Sequence, residues 1–139
     1  MPANAYKAGG TIHRARFVKV GAADNVVLQA DADARILGIS QLGGRAAPIP
    51  DNSNTTEAAT SGETLMIYDS NGPDDEPLLE LGETVARGTL LKADANGKGI
   101  AADEGAGTQE EIGAVASVSG VSGDLVPVRL RQFTLTTET

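Results

Sequence analysis

The residues able to do chemistry are few and scattered. His13 is the only histidine in the chain, and there is no cysteine. Disulfides, thiol nucleophiles and Cys-based metal sites are therefore excluded, and a metal at His13 would have to be completed by carboxylates, none of which lies at a ligating spacing. The densest set of oxygen ligands is Asp69-Ser70-Asn71-Gly72-Pro73-Asp74-Asp75-Glu76-Pro77. It departs from a calcium-loop pattern because Gly72 falls too early and Pro73 interrupts, so it reads as a solvated turn. Ser119-Gly120-Val121-Ser122-Gly123 lacks the Gly-x-Ser-x-Gly elbow of a serine hydrolase. Gly97-Lys98 has neither the preceding glycine nor the following Ser or Thr of a phosphate-binding loop. Carboxylates abound, but in loops with little apolar cover to raise a pKa. Asn54-Thr55-Thr56 fits a glycosylation sequon without a secretion signal. These residues predict a protein that is not an enzyme and needs no cofactor or metal.

The elements that would carry such residues are short. The 139-residue length fits one domain with a modest core. Seventeen glycines and six prolines, with no sustained 3.6-residue period, predict many short strands and turns. The only aromatics are Tyr6, Phe17, Tyr68 and Phe133. A core of Val, Ile, Leu and Ala buries less area per residue, so stability is expected to lean on an oligomer interface or a larger partner.

Leu81 to Ser117 holds the vocabulary of the whole chain. It offers a strand at Thr89–Ala93, a tight turn at Asp94–Lys98, a second strand at Gly99–Ala102, a loop, and a third strand at Ile112–Ser117. Asn96-Gly97 between apolar runs predicts a hairpin with a type I′ turn. Phe17–Val20, Val26–Ala30 and Ile36–Ser40, separated by turns, line up with these strands. The expectation is an all-β fold, a small barrel or sandwich with an internal repeat.

The remaining segments fit around that repeat. Residues 1–10 read as an extended N-terminal arm anchored by Tyr6, and residues 11–135 as one β domain. Thr11–Val20 alternates, with Ile12, Arg14, Arg16, Val18 and Val20 on one face; neither face is purely apolar, which predicts an edge or partner-facing strand. Residues 42–62 form a long loop with room for a short strand, and residues 69–77 an acidic one. Leu78–Leu81 is a brief strand or a helical turn. Asp124–Leu135 is the last strand, with Pro127 at an edge or bulge and Arg129 and Arg131 opposite Leu130. Residues 136–139 are a tail.

A net charge of −8 argues against direct nucleic-acid binding. Every charged residue from Asp51 to Ala86 is acidic, whereas Lys7, Arg14, Arg16 and Lys19 gather near the start. This is either a solvated acidic surface or a dipolar module with its basic face docked on something acidic. No run approaches the roughly 20 apolar residues of a membrane span, and Met1-Pro2-Ala3-Asn4 is not the start of a signal peptide. A soluble chain, made and used without secretion, is expected.

Three features carry a family resemblance: the Gly9-Gly10-Thr11-Ile12 step after an extended arm, the phrase from Gly82 to Lys98, and Ile112–Ala116 followed by a terminal apolar strand. Together they resemble the phage capsid cement, or head-decoration, proteins of the DUF2190 type. The long 42–62 loop and the acidic 69–77 loop depart from a minimal member. The resemblance implies a small β protein on the outer capsid surface of the virion, assembled in the host cytoplasm. It implies a homotrimer that binds the expanded head and bridges neighbouring major capsid proteins. The contact would then be made by Tyr6, Lys7, Thr11, Ile12, His13, Arg14 and Arg16. The alternative is a particle-displayed adhesive or carbohydrate-binding module, which the shortage of exposed aromatic platforms disfavours.

Overall fold

The computed structural model describes residues 3–21, 23–32, 34–40, 57–59, 61–69, 76–102 and 109–136, and every regular element in them is a strand. In chain order these are β1 (Ala3–Ala8), β2 (Ile12–His13), β3 (Phe17–Val20), β4 (Val26–Gln29), β5 (Gly38–Ser40) and β6 (Glu57–Ala59). They continue as β7 (Thr64–Tyr68), β8 (Leu78–Glu80), β9 (Leu90–Ala93), β10 (Gly99–Ala101), β11 (Gln109–Ala116) and β12 (Leu125–Thr136). Strands β1-β4-β3-β5-β7 close a barrel, and β10-β9-β11-β12-β8 form a second five-stranded sheet.

The two sheets are the same object twice. In the first, β1 runs antiparallel to β7 and parallel to β4, placing Ala8 opposite Val27. In the second, β8 runs antiparallel to β12, and the next residue, Leu81, bridges in parallel to Gly99 at the start of β10. Strands β1, β3, β4, β5 and β7 thus correspond to β8, β9, β10, β11 and β12. The pair of Ile12 with Ala59 has its counterpart in the bridge of Val85 with Gly120.

The repeat expected from Phe17 onward therefore extends further both ways. Upstream, Gly9-x-Thr11-Ile12 matches Gly82-x-Thr84-Val85. Downstream, Ser61-Gly62-Glu63 matches Ser122-Gly123-Asp124. Gly62 and Gly123 have φ of 88° and 91°, and their N–H groups donate to Ala8 O and Leu81 O, each at 2.8 Å. Ala15, at φ 54°, stands where the second unit has Gly88 at φ 87°. A turn that needs the left-handed region is kept in both halves, with glycine supplied only once.

Each unit fills its interior with a handful of aliphatic side chains. Ala8, Ile12, Val18, Val27, Ala59, Leu65 and Ile67 form one cluster. Their counterparts Leu81, Val85, Leu91, Val126 and Val128 are buried in the other. Sizes trade off across the parallel pair: the first unit sets Ala8 against Val27, the second Leu81 against Gly99. A Cβ on Gly99 would fall 2.5 Å from Leu79 Cδ2, so the space a side chain would take there is already filled.

The units pack through the outside of the first barrel. Phe17 lies opposite Ile39, and Ile39 opposite Tyr68, in a row across β3, β5 and β7. All three belong to the cluster that includes the second unit's interior. Gly113 of β11 lets this happen, because a Cβ there would meet Phe17 Cε1 at 2.6 Å and Ile36 Cγ1 at 2.8 Å. The β9–β10 turn docks alongside, with Phe17 N–H donating to Gly97 O at 2.8 Å.

Several expectations change. Residues 3–8 are extended but are not an arm clear of the domain: β1 is a barrel stave, and Ala8 is buried. Thr11–Val20 is two strands broken at Arg14-Ala15, and Phe17 and Val18 are both buried because one faces the second unit and the other the barrel interior. The β9–β10 turn is not type I′. Gly97 alone has positive φ, its N–H donates to Asp94 O, and Asp94 Oδ1 accepts from the N–H groups of Asn96 and Lys98. That is a type I turn completed by a left-handed glycine.

Leu78–Leu81 resolves to strand, and Thr136 closes β12 rather than opening a tail. Arg129 and Arg131 are exposed on either side of the buried Leu130, as expected. Pro127 O accepts from Ser117 N–H, and the missing N–H forgoes only the return bond to Ser117, just past the end of β11. Of the expected loops, residues 42–56 and 60, and residues 70–75, lie outside the described residues; β6 occupies Glu57–Ala59 within the first.

Gly99→Val is expected to destabilise the protein by about 1–3 kcal/mol through overpacking. In a double-mutant cycle by denaturant unfolding, Leu79→Ala should cost less in the Gly99→Val background than alone. Strict additivity would show that the two positions do not compete for one space.

Candidate partner-binding surface

The residues expected to meet a partner are divided by the fold. Ile12 is fully buried, and Arg16 is 8% exposed. Both are spent inside the chain, which corrects their assignment to a contact surface. Arg16 sits where the first unit receives the second: Nη1 donates to Asn96 O at 2.9 Å, and Nη2 to Glu80 Oε1 at 3.3 Å. Glu80 also accepts Lys98 Nζ at 3.2 Å, and its own N–H donates to Ala15 O at 2.8 Å. Ser40 Oγ completes the junction by donating to His13 O at 2.6 Å and accepting from Arg16 N–H at 3.0 Å.

The other expected residues spread over the first barrel. His13 is half-buried, and its N–H donates to Gln29 Oε1. Arg14 is half-buried, with its Nε enclosed and without a hydrogen-bond partner among the described residues. Thr11 and Lys7 are exposed. Tyr6 packs against the first core cluster and donates its hydroxyl to Asp69 Oδ2 at 2.6 Å. That hydrogen bond first, then burial and the Asp69 charge, raise the phenol above its ordinary pKa of 10.0. Tyr6 and Lys7 also border a shallow groove of about 360 Å³ with Asp24 and Asn25 of the β3–β4 turn.

Two adjoining grooves escaped the sequence reading. One of about 290 Å³ runs between Arg35-Ile36 and the paired strands at Glu111, Ile112 and Phe133. Its neighbour, of about 500 Å³, shares Arg35 and Ile36 and reaches Val20, which is 66% exposed. A fourth, of about 270 Å³, lies on the second unit beside Arg87, Val115 and Arg129. Among the described residues no three His, Cys, Asp or Glu side chains gather as metal ligands. Nor do the aromatics make a sugar platform: Phe17 is buried, Tyr6 and Tyr68 pack on the core clusters, and Arg131 lies over Phe133 at 5.6 Å.

What the described residues offer is a set of shallow grooves on a doubled barrel. The fold is similar to that of a phage head-fibre base. The structure is the N base of the head fiber protein gp8.5 of bacteriophage phi29, matched at a TM-score of 0.54 and 17% sequence identity over 96% of each chain. No family model matches the sequence, and no curated protein matches it.

The charge layout also differs from a simple dipole. Lys19 pairs with Asp31 at 3.2 Å, Lys92 with Glu110 at 2.8 Å, and Arg129 with Glu76 at 3.7 Å. Among the described residues these acids and bases are interleaved rather than parted on two faces.

Two outcomes follow from these contacts. Arg16→Ala should cost about 3–5 kcal/mol in denaturant unfolding, because it leaves Glu80 in a largely buried junction with less compensation; a cost within that of an exposed pair would show the junction to be solvated. For Tyr6, the folded state favours the neutral phenol. Its contribution is therefore full below pH 10 and lost as pH rises from there through the raised folded value. Tyr6→Phe should lower stability at neutral pH, with the deficit against wild type narrowing in that alkaline window.

Proposed function

We propose that this chain is a structural component of a phage head, a decoration protein that binds the outer surface of the expanded shell and bridges neighbouring major capsid proteins. The observation that supports this reading most is the similarity of fold, over nearly the whole of both chains, to the base of a phage head fibre. The shape fits the task. A doubled barrel with several shallow grooves offers surface for contact.

A module that binds only the expanded lattice stabilises that lattice by mass action, and many copies multiply a modest affinity per site. On this reading the chain acts as a homotrimer on the virion exterior. Of the residues first expected at the capsid contact, Tyr6, Lys7, Thr11, His13 and Arg14 remain available to it, whereas Ile12 and Arg16 act by holding the two barrels together.

The test is co-sedimentation of purified protein with expanded empty heads and with unexpanded procapsids of its phage. Binding to the expanded form alone, with a higher melting temperature of the decorated shell, is expected. Failure to bind either form would overturn the proposal.

A further inference from the structure

Among the described residues, the internal repeat leaves one of two equivalent faces uncovered. On the first barrel the outer row Phe17–Ile39–Tyr68 is covered by the second unit, through the β9–β10 turn, Glu80 and Gly113. Carrying the strand correspondence across, the same row on the second unit is Leu90–Val115–Arg129, for Val115 lies opposite both Leu90 and Arg129. Leu90 and Val115 are only half-buried, and the Arg129 side chain is 62% exposed. Among the described residues, the groove at this row is lined by the second unit alone.

The covering edge is likewise used once and present twice. The β9–β10 turn, which ends at Gly97, corresponds to the β3–β4 turn, which ends at Ala23-Asp24-Asn25, and Glu80 corresponds to Lys7. Ala23, Asp24, Asn25 and Lys7 are exposed, and the last three border a groove of their own. Among the described residues the chain thus carries one filled socket, one open socket, one seated edge and one free edge.

We propose that a second copy of this chain fills the open socket head to tail, setting its β3–β4 turn and Lys7 on the Leu90–Val115–Arg129 face. The contact repeats the geometry already present within one chain. Both patches carry charge of each sign: the incoming edge has Asp24 and Lys7, and the groove at the socket has Arg87, Arg129 and Glu76. The interface joins two different patches, so repetition either closes a ring or runs on as a filament; three copies would close a ring of six barrels. This inference rests on the packing within the chain; it gives the homotrimer of the capsid reading a geometry and takes Lys7 for the contact between copies, while its light-scattering test is independent of capsid binding.

The test uses full-length protein in solution, by light scattering coupled to size exclusion. Val115→Arg disables the socket, with Arg129→Glu as a second socket variant whose exposed side chain spares the fold. Asp24→Arg combined with Lys7→Glu disables the edge. Circular dichroism confirms that each variant is folded. Wild type is expected to be oligomeric and every folded variant monomeric. An equimolar mixture of a socket variant with the edge variant should give a one-to-one dimer, because one intact socket meets one intact edge. A monomeric wild type, a folded variant that keeps the wild-type mass, or a mixture that stays monomeric would each overturn the proposal.

Discussion

Everything in this structure follows from closing five very short strands on themselves. Strands of three to six residues in the first barrel enclose room for a few aliphatic side chains and no more. So small an interior buries too little apolar surface to offset the ordering of its own chain. The remedy is to make the outside of the barrel apolar as well and to cover it. Phe17, Ile39 and Tyr68 are that outer layer, and the second unit is the cover. The largest fully buried side chain, Phe17, accordingly sits between the barrels rather than inside one.

The same constraint explains the composition. Glycines in this chain mark places where two backbones or a backbone and a side chain must approach closely. Gly113 admits Phe17 and Ile36, and Gly97 lets the turn rest on the backbone of Phe17 and Ala30. Closely packed small barrels have no room for more rings, so a low aromatic content accompanies a real core. Charge is handled in the same economical way. Arg16 enters the junction because two acceptors of the other unit, Asn96 O and Glu80 Oε1, meet its two terminal nitrogens, while its Nε is buried without a partner among the described residues.

What the sequence disclosed were the local features. Short strands, their approximate places, the Asn96-Gly97 hairpin and the repeat of three strands all rest on neighbours within about ten residues, where propensity and turn chemistry decide. Non-local features were hidden. Ala3–Ala8 read as an arm because the pairings that make it a stave, to Val26–Val27 and to Thr64–Tyr68, leave no mark within the segment itself. Thr11–Val20 alternated well enough to pass for one exposed strand. Its two arginines disguised a stretch in which Ala15 through Val18 are all buried, because Arg16 finds its acid 64 positions away. The grooves at Arg35-Ile36 and at Val115 come from elements brought together by closure, so no spacing could announce them.

Comparing the two halves position by position separates what the barrel needs from what its surroundings need. Interior pairs keep their character: Ile12 with Val85, Val18 with Leu91, Leu65 with Val126, Ile67 with Val128. The outer row does not. Phe17 becomes Leu90, Ile39 becomes Val115 and Tyr68 becomes Arg129, each step smaller or more polar. A row covered by the same chain can be more apolar, since Phe17 and Ile39 are fully buried and Tyr68 partly so. A row that is solvated in the free subunit must tolerate both states, and interfaces formed between separately folded chains are correspondingly more polar than permanent ones. The divergence of Tyr68 and Arg129 at one equivalent position is what that difference in environment requires of two copies of a single design.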